Sequence, residues 1–129
     1  MNYLIREKDG FTIVSVEGQV CVSTQDDFMV RLNDLCDAMA CQTVLLDMGK
    51  VSYLNSAGLG MIIESFRKFR DKGGQLVLCG LNPDINRLFA ATRLNRFIQI
   101  YPGVNEALHT LKRSADAAEG DAIMRQEVV

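Results

Sequence analysis

The hydrophobic period of this chain changes within a few residues, and a small hydroxyl sits at the change. Thr43-Val44-Leu45-Leu46-Asp47-Met48 is a β-rich apolar run that predicts a buried strand. Downstream, Leu59, Ile62, Ile63, Phe66 and Phe69 recur at helical spacing, which predicts a helix from about Ala57 to Asp71. A chain that switches from strand to helix so quickly must lay the helix back over its own strand. The junction runs from Val51 to Ile63, so Ser56 falls in or beside the first helical turn. There, free backbone N–H groups and the positive end of the macrodipole favour an added anion. A phosphate on Ser56 would be tolerated by the fold at this spot, which is what a phosphorylation switch requires.

The rest of the chain repeats the alternation. Tyr3-Leu4-Ile5-Arg6 and Thr12-Ile13-Val14-Ser15-Val16 flank Asp9-Gly10, a hairpin signal. From Ser23 to Met39, Phe28, Leu32, Leu35 and Met39 mark a helix with Asp26 and Asp27 near its start. Gly73-Gly74 stops the helix after Ser56, Gln75–Cys79 reads as a strand, and Asn82-Pro83 opens a short helix. Phe97–Tyr101 is strand-like, and a last helix is predicted from Gly103 to Lys112. Strands alternating with helices imply an α/β domain: a mixed, mostly parallel sheet of about five strands with about four helices, the first hairpin as its antiparallel edge. Residues 1–113 form the expected domain. Residues 114–129, Ala-rich and acidic, read as a tail that is disordered or a helix needing a partner.

Composition excludes several classes. A chain of 129 residues that is 48% hydrophobic supports one domain with a real core. No apolar run is long enough to span a bilayer, and the first residues do not read as a signal peptide. The four cysteines (Cys21, Cys36, Cys41, Cys79) show no C-x-x-C pair and no histidine at metal spacing. They read as free, mostly buried thiols in a reducing cytosol, with no metal and no cofactor expected. Net charge is -2 without a basic stripe, so a nucleic-acid surface has little support. The tail carries -3 of that charge, leaving about +1 on the rest.

Leu46-Asp47-Met48-Gly49-Lys50-Val51-Ser52-Tyr53-Leu54-Asn55-Ser56-Ala57-Gly58-Leu59-Gly60 resembles the signature of the anti-sigma factor antagonists, the small bacterial members of the STAS domain class. The resemblance extends from about Tyr3 to Leu111. That signature is a strand ending in Asp, a short turn, then an apolar residue followed by Asp-Ser-Ser-Gly-Leu-Gly. The resemblance implies a cytoplasmic STAS-fold regulator, not an enzyme, acting as a monomer or weak homodimer. It implies that Ser56 is phosphorylated by an anti-sigma factor that is also a serine kinase, and reset by a serine phosphatase. Asn55 stands where the family usually has Asp, which removes one charge beside the phosphate position. Asn55, Ala57, Gly58, Gly60 and Met61 are the expected partner-binding residues, with Met61 exposed opposite the apolar stripe. Gly60 costs roughly 1 kcal/mol relative to Ala inside a helix. It is expected to serve either a close backbone approach by a partner or packing against the sheet.

Other readings of the same residues stay open. Asp47 reads as a cap of a turn, or as the residue that orients the segment bearing Ser56. Asn55 reads first as a helix cap. A hydrolase elbow needs G-x-S-x-G, but Leu54 occupies the first glycine's place. The one histidine, His109, lies on the polar side of the last helix. Gly58-x-Gly60 lacks the third glycine of a dinucleotide loop, Ile63 standing there. The competing functions are a constitutive STAS scaffold or transport accessory with no phosphate cycle, and a small nucleotide-binding module.

Overall fold

The computed structural model describes residues 1–39 and 41–115. Five strands form one sheet in chain order: β1 (Asn2–Lys8), β2 (Phe11–Val20), β3 (Thr43–Leu54), β4 (Gln75–Cys79) and β5 (Ile100–Tyr101). β1 pairs antiparallel with β2 and the remaining pairs are parallel. The hairpin closes through Asp9 at φ 55° and Gly10 at φ 83°. Two consecutive left-handed residues match the strand twist, which is why Asp-Gly serves here.

Helix α1 (Gln25–Met39) follows β2, α2 (Ser56–Asp71) follows β3, and α3 (Pro83–Ala91) follows β4. Helix α4 is described over residues 104–115. The alternation of side chains along β3 divides the core in two. Val44, Leu46 and Met48 pack with Phe28, Leu32, Ile62, Phe69 and Phe89 of the first three helices. Leu45 packs on the other face with Ile13, Val77, Cys79, and Ala107, Leu108 and Leu111 of α4.

Several expectations need correction. β3 does not end at Met48 and turn: it continues to Leu54, because Lys50, Val51, Tyr53 and Leu54 pair with Glu17, Gly18, Gln19 and Val20 of β2. Register shifts opposite Ser15/Glu17 and Gly18/Gln19 each place one extra residue on β3. β5 is only two residues long. A 3₁₀ turn over Leu94–Arg96 takes the Phe97 and Ile98 N–H groups to the Leu94 carbonyl, leaving Phe97 70% exposed. On α2 the buried face runs through Gly58, Leu59, Ile62, Ser65 and Phe69, while Ile63 and Phe66 flank it half-buried. The last helix, expected from Gly103 to Lys112, is described over residues 104–115, and the part of the expected tail from 116 onward lies outside the described residues. All four cysteines are free, but only Cys36 and Cys79 are buried; Cys21 is half-buried and Cys41 exposed.

Candidate functional site

Ser56 is the first residue of α2 and is exposed. Its position follows from local chemistry. Leu54 is buried and ends β3, and the Asn55 N–H donates to the Val20 carbonyl at 2.9 Å, closing the sheet end. Asn55 then caps the helix: at φ -80° and ψ 174° its backbone is extended, and its Oδ1 accepts the Gly58 N–H at 2.8 Å. The Leu59 N–H donates to the Asn55 carbonyl at 3.0 Å. In an α-helix the next two N–H groups, those of Ser56 and Ala57, have no carbonyl within the helix to bond. They lie beside the serine hydroxyl. No acidic residue occupies the first turn of α2. The site is therefore a neutral surface hydroxyl at the positive end of a 16-residue helix, suited to carry an anion.

The other expected residues separate into three groups. Ala57 is half-buried and Gly60 is exposed, and a Cβ on Gly60 would meet nothing within 4 Å, so Gly60 is not required by packing against the sheet. Met61 is half-buried rather than exposed. It lines a groove of about 310 Å³ between α1 and α2 together with Met29, Leu32, Ala57, Gly60 and Lys68. Gly58 is buried, and a Cβ there would come within 2.6 Å of Leu54 Cδ1 and Val20 Cγ1. Gly58 is thus an inner packing residue beneath the surface that Ser56, Ala57 and Gly60 present.

Asp47 belongs elsewhere. Its neighbours Leu46 and Met48 point into the α1–α3 layer, so its own side chain points to the α4 side of the sheet. There its Oδ1 accepts the Gly49 N–H at 3.0 Å and its Oδ2 accepts the Ser15 hydroxyl at 3.3 Å. It sits inside β3 and holds the Gly49 N–H and the Ser15 hydroxyl on the face of the sheet away from α2. His109 is exposed on α4, across the sheet from α2, which removes the serine–histidine pairing a hydrolase would need.

Residues from the turn between β2 and α1 join the site, and no local pattern in the sequence marks them. Gln25 Oε1 accepts from Asn55 Nδ2 at 2.9 Å, tying the start of α1 to the cap of α2. Val22 is 83% exposed in the same turn, and Tyr53 is 53% exposed just before the cap. Cys21 sits beside them, its sulfur 3.2 Å from the Ser23 hydroxyl and 3.6 Å from that of Thr24. Bonds from Ser23 and then Thr24 favour the thiolate and bring this thiol down to about 7.

The STAS domain family model matches residues 2–107, and the chain belongs to that family. It is 26% identical over 103 residues to the anti-sigma F factor antagonist of Paenibacillus polymyxa, covering 80% of this chain and 88% of that one. An anti-sigma factor antagonist from Mycobacterium paratuberculosis superposes with a TM-score of 0.76 at 22% identity, over 86% of this chain and 93% of that one. The Bacillus cell fate determinant SpoIIAA in its phosphorylated form shares the fold with a TM-score of 0.64 at 14% identity, over 85% and 99% of the two chains. No helix among the described residues is long and apolar enough to cross a membrane.

Proposed function

We propose that this STAS domain is an anti-sigma factor antagonist that works by partner switching at Ser56. The observation that carries this reading is the exposed Ser56 hydroxyl at the first position of a capped helix with a neutral first turn. Unphosphorylated, the surface of Ser56, Ala57, Gly60 and Met61 is small and nearly neutral, and it docks closely against an anti-sigma factor that is also a serine kinase. The kinase transfers the terminal phosphoryl group of ATP to Ser56 Oγ, releasing ADP and the hydroxyl proton. A serine phosphatase returns the hydroxyl by hydrolysis, water taking the phosphoryl group.

Phosphorylation adds roughly -1.5 to -2 charges and three acceptor oxygens. On the chain itself the Ser56 and Ala57 N–H groups and the helix terminus offset that charge. At a close interface the same charge must be desolvated, which costs several kcal/mol unless a cation meets it. A penalty of about 3 kcal/mol weakens binding more than a hundredfold. The modification thus changes association without changing the fold. The relatives named as anti-sigma factor antagonists, and the phosphorylated state of SpoIIAA, support this reading.

The test is titration calorimetry against the cognate anti-sigma factor. Ser56→Ala should bind as the unmodified protein does, while Ser56→Asp and authentic phosphoserine at 56 should lose at least a hundredfold in affinity with unchanged circular dichroism. Equal affinity for the phosphoserine and unmodified proteins would refute the switch and leave a constitutive scaffold as the better description.

A further inference from the structure

The cap beside Ser56 is held from outside its own helix. The Gly58 N–H can only donate, so the atom of Asn55 that meets it at 2.8 Å is Oδ1. The other terminal atom of Asn55 is then Nδ2, which can only donate, and it does so to Gln25 Oε1 at 2.9 Å. The two residues stand 30 apart in sequence, on the first turn of α1 and at the cap of α2. Both are half-buried, so the bond between them is partly shielded from water.

We propose that Gln25 is a positioning residue of the Ser56 switch, holding the Asn55 amide so that the cap stays closed on Gly58 and uncharged beside a phosphate on Ser56. This rests on the reading of Ser56 as the phosphorylated residue. The pairing has a polarity that substitutions can probe. Gln25 can serve either an amide or a carboxylate at 55, because its own amide can turn over. A glutamate at 25 can only accept, so it serves Asn55 but not an aspartate. Gln25→Glu therefore keeps the bond and adds one negative charge near the phosphate. Gln25→Ala removes the bond and adds none.

The experiment uses the full chain with phosphoserine installed at 56, titrated by ³¹P NMR, together with hydrogen exchange of the Gly58 amide. For Gln25→Glu the phosphate's second pKa should rise by a few tenths of a unit, since an added negative charge nearby disfavours the dianion, with Gly58 exchange unchanged. For Gln25→Ala, Gly58 exchange should accelerate several-fold and the phosphate pKa should rise by a few tenths. For Gln25→Glu combined with Asn55→Asp, both readouts should move, since two carboxylates then face each other. A residue that served stability alone would lower the melting temperature without moving the phosphate titration. A phosphate pKa at the wild-type value in Gln25→Glu, or unchanged Gly58 exchange in Gln25→Ala, overturns the proposal. No partner is present in the tube. A failure of Ser56→Asp to release the anti-sigma factor would therefore sink the switch and leave this result standing.

Discussion

Gly58 lies so close over Leu54 that a methyl group on it would sit 2.6 Å from Leu54 Cδ1, and equally close to Val20 Cγ1. Both contacts are with buried strand residues whose backbones are paired to each other. Ala gains roughly 1 kcal/mol over Gly in a helix interior, but overpacking a core of this kind costs about 1–3 kcal/mol. The atoms met are terminal methyls, but both side chains are buried and have no open space to turn into, so the steric cost exceeds the propensity gain. Gly58→Ala is expected to lower the urea midpoint and to shift the start of α2 away from the sheet. A midpoint at or above wild type would show that α2 can slide without loss.

Gly60 sits two residues further on and behaves oppositely. A Cβ there meets nothing within 4 Å, and its backbone is ordinary helix. Gly60→Ala is expected to raise stability by about 0.5–1 kcal/mol in urea unfolding. A Gly retained at such a cost points to a constraint outside the folded chain. The same variant should therefore bind the anti-sigma factor more weakly while being more stable. Gains in both stability and affinity would remove Gly60 from the interface.

The strand-to-helix junction was legible because both halves carry strong periods and Asn55 is a good cap. Gln75–Cys79 and Asn82-Pro83 fell where punctuation by glycine and proline puts them. Local pattern failed where long-range pairing decided the outcome. The apolar run stops at Met48, yet the strand goes on to Leu54 because β2 supplies partners as far as Val20. Phe97 reads as strand, yet the preceding 3₁₀ turn takes its N–H. Ser65 is buried at 3% in the stripe, where a small polar residue gives no hydrophobic signal. Met61 was expected opposite the stripe, and α1 packing alongside makes that flank a groove. Gln25 was invisible for the same reason: its partner is 30 residues away.

Asn82 offers a second test of how the site is braced. Its Oδ1 caps α3 by accepting the Ile85 N–H at 2.8 Å, and its Nδ2 donates to the Val51 and Ser52 carbonyls at 3.3 Å each. One side chain thus ties the start of α3 to the end of β3, just ahead of Asn55. Asn82→Ala should cost about 1–2 kcal/mol, the upper range because a cap and a helix-to-strand tie are lost together. Amides of residues 51–55 should exchange faster than those of residues 44–47. Uniform acceleration across β3 would mean that Asn82 acts on global stability alone.

Cys21 connects the site to pH. Its thiol is brought down to about 7 by the Ser23 and Thr24 hydroxyls, whereas burial pushes Cys79 up to about 12. For an acid, a lowered value means that the charged form prevails above it, and the thiolate is the reactive form. Iodoacetamide labelling of Cys21 should therefore rise through a midpoint near pH 7, while Cys79 stays unlabelled until the protein unfolds. Thr24→Val should move the Cys21 midpoint upward by removing one stabilising hydroxyl. Cys21 adjoins Gln25, and through it the Asn55 cap, so a docked anti-sigma factor should also shield it. Labelling at the same rate with and without saturating partner would place the interface away from the turn between β2 and α1, and confine it to α2.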